Sequence, residues 1–349
     1  MTHATHPHNL LVRYWLHFVR LVTASRDGMN PTWFEVKERL WRRLYMNPRN
    51  WLKYGDRNFP CMFTFETQTV CNRRCAYCPN HDAPMEFGMM TWPVVEKMAQ
   101  RMKEIDFAGF VVFSSFSEPL MDLRLTEIVK LFKREAPKCR PAIFTNADYL
   151  DADKCRELIA AGISYIHITR HPPFSKSWDE KVTALRKQFP KHIEYRGVLE
   201  GRKWLFNFAG TVPNPPGADS WARKPCKSVQ WNVTIYANGD FPLCANLPEK
   251  KPVIGSLLTH SVMDIWNSRK AQTLRAQATS GTPTLDVCKA CYDRSENAHI
   301  THLPRLKAAQ ALFPNAKPAT PLSAIPRLVK EFESRTPHPA PRSDATFQN

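Results

Sequence analysis

Three cysteines within eight residues, Cys71-Asn-Arg-Arg-Cys75-Ala-Tyr-Cys78, hold the densest chemistry in this chain of 349 residues. The C-x3-C-x2-C spacing lets one loop wrap three thiols around a single metal centre. An ordinary cubane [4Fe-4S] cluster takes four cysteines, so three leave one iron without a protein ligand. An open iron is a place to bind and activate something, which is enzyme chemistry. A second group comprises Cys226, Cys244 and Cys288-Lys-Ala-Cys291. Four thiolates converging from a hairpin and a C-x2-C suit a structural zinc site or a closed iron–sulfur cluster. Cys61, Cys139 and Cys155 are read as small buried or surface thiols.

The elements that must position these groups are legible as alternating patterns. Met62-Phe-Thr-Phe-Glu66 precedes the first cysteine group, and strands are expected near Val111–Phe113, Ala142–Phe144, Tyr165–Ile168 and Ile193–Tyr195. Helical stretches lie between them, at 93–105, 125–135, 152–161 and 178–188, with Asp151 and Ser177 as N-caps and Gly162 as a stop. Strand–helix alternation predicts a mainly parallel α/β sheet, whose ligands gather at the carboxyl ends of the strands. The cysteine loop follows the first strand, at that edge.

Thr211-Val-Pro-Asn-Pro-Pro-Gly217 breaks the pattern. Beyond it, Asn238-Gly239 between two short apolar runs predicts a β-hairpin with both turn residues at positive φ. Ser261-Val-Met-Asp264 opens a helix running through Ile265, Trp266 and Leu274. The expected division is a basic helical extension at 1–60, a core at 61–210, a linker at 211–225, an auxiliary domain at 226–300 and a proline-rich, irregular tail at 301–349.

Ten cysteines with no signal peptide argue for metal binding in a reducing compartment, the cytoplasm, over a disulfide scaffold. A net charge of +17 suits an anionic partner or simply a basic protein. The run at 9–22 is broken by Arg13, His17 and Arg20, too short and charged to span a bilayer. It reads as a helix packed on its own protein, with peripheral membrane contact as the other use.

The cysteine loop, with Tyr77 before its third cysteine, resembles the cluster loop of the radical S-adenosylmethionine (SAM) superfamily. That resemblance implies a partial (β/α)6 barrel and a [4Fe-4S] cluster on Cys71, Cys75 and Cys78 whose open iron chelates SAM. Phe116-Ser-Glu118-Pro119 resembles the family's Gly-Gly-Glu-Pro stretch with both glycines replaced, which implies that Glu118 holds the SAM amino group beside Ser117. Thr145-Asn146-Ala147 is similar to the family's Thr-Asn-Gly, and Thr169 stands where the fourth strand often ends in Ser. Tyr77, Ser117, Glu118, Asn146 and Thr169 are thus the implied cofactor-binding residues. Arg170 replaces the usual Asp after the fourth strand. Asn207-Phe-Ala-Gly210 resembles the segment closing the barrel, without its arginine. Residues 226–294 resemble the twitch domain, the shortened SPASM fold. This implies a β-hairpin–helix unit with an auxiliary [4Fe-4S] cluster on Cys226, Cys244, Cys288 and Cys291, acting as an electron conduit.

The resemblance implies an enzyme that cleaves SAM reductively and takes a hydrogen from its substrate. Oxidation or epimerisation of a small polar metabolite, such as a sugar or cyclitol, is the expected reaction. An epimerase needs a thiol hydrogen donor, so Cys139 and Cys155 join Arg170 as candidate catalytic residues, with His171 and Arg196 as further anion binders. The implied partners are the small-molecule substrate and a one-electron reductant such as a flavodoxin or ferredoxin. A peptide maturase, an RNA-modifying enzyme and a non-catalytic Fe–S protein are the rivals. No leader-binding or RNA-binding module is recognisable in the sequence.

Overall fold

The computed structural model describes residues 42–75, 78–80, 87–171, 175–197, 208, 226, 228–247, 250–291 and 321–335. The chain divides into two compact units, Met1–Cys61 and Met62–Asn349. In the first, a π-helical turn, Arg42–Met46, leads into α1, Asn47–Tyr54, which Gly55 ends at φ 70°. Asn50 Nδ2 donates to the Phe59 carbonyl at 2.6 Å, and Tyr54 stacks on Phe59. The run at 9–22 lies outside the described residues.

The second unit is built on a six-stranded sheet of order β5-β4-β3-β2-β1-β6, every pair parallel. The strands are β1 Met62–Phe65, β2 Phe110–Val112, β3 Arg140–Thr145, β4 Tyr165–Arg170, β5 Ile193–Gly197 and β6 Asn232–Ile235. Between them run α2 Trp92–Glu104, α3 Leu125–Glu135, α4 Ala152–Ala161 and α5 Lys176–Gln188. Strand alternation sends Phe63 and Phe65 to the helical side, where the Phe65 and Phe113 rings meet Phe132 of α3. Both β1 phenylalanines are fully buried, each contributing about 2 kcal/mol of apolar transfer. Asp151 caps α4 through its side chain, 2.7 Å from the Lys154 amide, and Gly162 ends it at φ 101°. The cap of α5 is Ser175 instead of Ser177; the two hydroxyls share a hydrogen bond.

The auxiliary region differs from the expected hairpin unit. Residues 232–235 do not pair with the strand after Asn238-Gly239. They form β6, alongside β1 in the core sheet. The following strand, β7 Asp240–Pro242, pairs antiparallel with β8 Val253–Ser256. The turn is tight, yet only Gly239 takes positive φ (82°); Asn238 uses its side-chain oxygen to accept from the Asp240 amide. Val233 and Ile235 are buried on one face of β6 and Asn232 and Thr234 take the other, an alternation that suits a hairpin arm and an edge strand of the core sheet alike.

Four short helices complete the region: α6 Ser228–Trp231, α7 Val262–Asn267, α8 Arg269–Ser280 and α9 Asp286–Ala290. Ser261 and Asp264 form a reciprocal capping box on α7. The helix expected to run on through Leu274 breaks at Ser268, whose hydroxyl caps α8 by accepting from the Ala271 amide. Gly255 is fixed by packing, since a Cβ there would stand 2.7 Å from Ile265 Cγ1. The tail is not wholly irregular. It carries α10, Ile325–Arg335, with Ile325 buried against Val70 and Met121 and the Phe332 ring 5.9 Å from Phe87.

Candidate functional site

The segment joining β1 to the cysteine loop is buried and polar, so every group in it needs a partner. Gln68 Nε2 donates to the Glu118 carbonyl at 2.7 Å, and the Glu118 amide donates to the Val70 carbonyl at 3.0 Å. Thr69 exchanges bonds with Gly88, its amide donating to the Gly88 carbonyl and its hydroxyl accepting from the Gly88 amide. These ties deliver Cys71 to the carboxyl edge of the sheet. Its Sγ accepts from the Arg73 amide at 3.4 Å, while the Cys78 amide donates to the Cys75 carbonyl.

All ten cysteines are free thiols. Burial is the main cause that pushes Cys71 up to about 12 and Cys78 up to about 11; the Arg73 and Asn80 amides oppose it, while negative charge on Glu118 and Cys75 adds to it at Cys71, and on Cys71 at Cys78. Thiols so desolvated ionise when a cationic centre arrives, and metal binding then drives the loop's folding. Among the described residues no three His, Cys, Asp or Glu side chains stand around one point as for a single ion. A cubane spreads its cysteines over separate irons. Arg74, inside the loop, has Nε and Nη1 buried with no hydrogen-bond partner. Buried donors lacking acceptors fit a loop shaped around an acceptor-rich group. Cys71, Cys75 and Cys78 could hold a three-thiolate cluster.

Two residues that the spacing argument passed over hold the loop in place. Arg73 forks onto Asp148, Nη2 to Oδ1 at 2.6 Å and Nε to Oδ2 at 2.7 Å, and its Nη1 donates to the His171 carbonyl. Asn72 also donates to Asp148 Oδ2. Burial pushes the Asp148 carboxyl up, but the Arg73 bonds and charge outweigh it and hold the group below its ordinary range. Asp148→Asn is expected to cost about 1–3 kcal/mol, because it leaves a mostly buried guanidinium without its anion. Urea unfolding of the apoprotein measures this, with iron retention as the second readout.

Glu118 is 2% exposed and meets three protein donors. Oε1 accepts from Thr145 Oγ1 at 2.6 Å and the Leu120 amide at 3.1 Å; Oε2 accepts from the Asn146 amide at 2.8 Å. Burial outweighs these bonds and raises its pKa to about 7. A carboxylate offers about four acceptor positions, so Oε2 keeps one for a further donor. Asn146 is tied into the protein and reaches the cysteine loop, its Nδ2 lying 3.9 Å from Cys71 Sγ. Its Nδ2 donates to Asn72 Oδ1, its Oδ1 accepts from the Asp148 amide, and its carbonyl accepts from Trp178 Nε1. Ala147, in place of the family's glycine, takes φ 60°. Ala147→Gly is expected to leave stability unchanged or raise it by up to about 1 kcal/mol, the relief of left-handed strain exceeding the added chain entropy. Thermal unfolding checks it.

The other candidates separate. Ser117 is half-buried in the loop after β2, and the Phe116 ring beside it meets Phe208 edge-on. Thr169 shares a face of β4 with His167, the side of the sheet away from the helices. Arg170 occupies the helical side and is ion-paired with Asp179 of α5, so strand alternation turns it away from the inner face. Cys139 sits at the amino end of β3, opposite the cysteine loop, with its thiol against the Phe132 carbonyl. Cys155 is wholly buried on α4. Tyr77 and the Arg196 side chain lie outside the described residues, and His171 contributes its carbonyl. On the inner face Thr64 pairs with Asn232, and Phe144 meets His167 edge-on at 5.1 Å.

The second thiol group is assembled around α8. The Cys226 amide donates to the Ala278 carbonyl, and Cys226 lies close enough to Cys288 to help raise its pKa after burial. Cys244 Sγ accepts from the Asn246 amide, and Cys291 ends α9. Trp266 underlies this region at 1% exposure, with the Arg275 guanidinium 3.6 Å above its ring. Glu66, at the end of β1, accepts from Lys250 Nζ at 2.7 Å and from the Ala237 amide, tying the two regions together.

A parallel sheet with a three-thiol loop at its carboxyl edge and a four-thiol domain beyond it define a radical SAM enzyme with a SPASM-type iron–sulfur domain. The radical SAM superfamily profile matches residues 65–192, and an iron–sulfur cluster-binding domain of SPASM type matches residues 226–292. The S-adenosyl-L-methionine-dependent 2-deoxy-scyllo-inosamine dehydrogenase of Niallia circulans is 27% identical over 236 residues, 66% of this chain and 92% of that protein. A crystal structure of BtrN in complex with AdoMet and 2-DOIA is similar at a TM-score of 0.60 and 25% identity, covering 69% of this chain and 96% of that one. BtrN in an open conformation gives a TM-score of 0.55 at 22% identity over 70% and 99% of the two chains. The two domains imply two [4Fe-4S] clusters, and the catalytic one supplies the electron that cleaves SAM to methionine and a 5′-deoxyadenosyl radical. No helix among the described residues is long and apolar enough to cross a membrane.

Proposed function

We propose that this enzyme oxidises a secondary alcohol of a small polyhydroxylated ring, a cyclitol or sugar, to a ketone. The observation that carries the reading is the 27% identity along 92% of a SAM-dependent cyclitol dehydrogenase. The overall balance is SAM plus alcohol giving methionine, 5′-deoxyadenosine, ketone and a proton. Cys71, Cys75 and Cys78 would hold the catalytic cluster, and Cys226, Cys244, Cys288 and Cys291 the auxiliary one, which serves as electron acceptor when bound. Glu118 takes the SAM ammonium at the remaining acceptor position of Oε2, beside Ser117. Asn146 acts on SAM indirectly, by holding both Glu118 and Asn72. Thr169, with His167 and Thr64 on the inner face, offers hydroxyl and imidazole partners to a polar ring.

Oxidation fits the thiols better than epimerisation does. A returning hydrogen atom needs a thiol facing the inner chamber, whereas Cys139 stands at the amino end of β3 and Cys155 is sealed within α4. A one-electron reductant such as a flavodoxin or ferredoxin completes the cycle in the cytoplasm. The test uses anaerobically reconstituted protein, SAM, dithionite and a panel of cyclitols and sugars that includes 2-deoxy-scyllo-inosamine. One panel member is expected to give ketone and 5′-deoxyadenosine in equal amounts. A product that is instead an inverted alcohol would replace oxidation with epimerisation.

A further inference from the structure

The loop carries two adjacent arginines with opposite fates. Arg73 is saturated by Asp148 and the His171 carbonyl. Arg74 Nε and Nη1 are buried, and among the described residues no hydrogen-bond acceptor meets them. Leaving two donors of a cation desolvated and unmet costs several kcal/mol, so such an arrangement persists where a ligand meets them. Among the described residues neither neighbouring carboxylate bonds Arg74: Asp148 is held by Arg73 and Asn72, and Glu118 accepts from Thr145, Leu120 and Asn146. Arg74 itself stands between Cys71 and Cys75 in the same loop.

We infer that Arg74 donates Nε–H and Nη1–H to sulfur atoms of the cluster held by Cys71, Cys75 and Cys78, and so stabilises its reduced form. The inference rests on the cluster reading of this loop and is independent of the substrate. Reduction adds one negative charge to a centre already surrounded by thiolates. A fixed guanidinium and hydrogen bonds to sulfur both favour that added charge, and both are recognised settings of iron–sulfur potential. Arg74 therefore makes the electron for SAM cleavage easier to load, while Arg73 holds the loop mechanically.

The test is a redox titration of the reconstituted holoprotein followed by EPR. The catalytic cluster is identified as the signal that changes when SAM is added, and the auxiliary signal serves as internal control. R74Q, with iron content equal to the unchanged chain, is expected to shift the reduction equilibrium of the SAM-responsive signal about tenfold toward the oxidised form, about 59 mV for one electron. R74K, which keeps the charge without the planar fork, is expected to shift it less. An unshifted midpoint, or an equal shift of both signals, overturns the inference. So does a tenfold loss of SAM affinity at unchanged potential, which would give the donors to the SAM carboxylate. Pulsed EPR of the unchanged chain and of R74Q, each labelled with arginine carrying 15N in the guanidinium alone, supplies a spectroscopic check, since the Arg73 amide already donates to Cys71 Sγ. A guanidinium 15N coupling to the reduced cluster that disappears in R74Q supports the contact; its absence from the unchanged chain, or its persistence in R74Q, overturns it. A chain that binds no SAM-responsive cluster at all would instead fail the reading of the loop.

Discussion

Replacing Cys75 with alanine is expected to reduce 5′-deoxyadenosine formation to background, while replacing Cys288 with alanine leaves SAM cleavage measurable and suppresses ketone. The two thiol groups sit in separate regions, one on the loop after β1 and the other around α8 and α9. Loss of one group therefore leaves the other intact. Two cubane clusters give about eight irons and eight sulfides per chain, and each variant should retain about four. On the proposed assignment, Cys75→Ala removes a ligand of the catalytic cluster, so no radical would form. On the same assignment, Cys288→Ala removes a ligand of the auxiliary cluster proposed to accept the second electron, so a substrate radical would lack its route to ketone. Iron and sulfide analysis with mass-spectrometric product assay reads both effects. Four irons plus one zinc in the unchanged chain would assign the second group to zinc and leave the first untouched.

Glu118→Ala is the next largest effect expected, about 3–5 kcal/mol of stability together with loss of SAM binding. The substitution orphans the Thr145 hydroxyl and the Leu120 and Asn146 amides, all buried at the meeting of β2 and β3. Glu118→Gln keeps the shape and most of the acceptors, so it separates binding from folding. The pH dependence follows from the pKa, raised from 4.5 to about 7 by burial. A carboxyl raised on folding contributes stability below its unfolded value that is lost as pH climbs toward 7. An ammonium ligand demands the ionised form. SAM affinity is therefore expected to rise up to tenfold per pH unit below about 7 and to level off above it. In Glu118→Gln that slope should vanish; a titration of SAM binding between pH 6 and 8 measures it.

Much of the core was legible because its signals are local. Alternation in Met62–Phe65 and Tyr165–Ile168 marks strands, and Asp151 and Gly162 bracket α4 as capping chemistry requires. The three-cysteine spacing is likewise a local signal. What escaped was the non-local partner choice. Asn232–Ile235 reads equally well as one arm of a hairpin or as a buried strand, and only its pairing with β1 decides between them. The Arg73–Asp148 fork joins residues 75 positions apart, so neither side chain announces the other. Asn146 is marked by its likeness to the family's Thr-Asn-Gly; its bonds to Asn72 and to the Asp148 amide join residues that the motif does not name. Arg170 is placed by β4 alternation on the helical side, beside Asp179, which the motif alone does not show. Prolines around Ile325 masked α10, whose docking depends on Val70 and Met121 far upstream.

The most direct test of the central claim follows a single hydrogen atom. The holoprotein is incubated without oxygen with SAM, a reductant and a cyclitol bearing deuterium on the carbon to be oxidised. If a radical derived from SAM oxidises an alcohol carbon, each 5′-deoxyadenosine carries one deuterium and appears with one ketone. Ketone formed with unlabelled 5′-deoxyadenosine, or without any, would contradict that account.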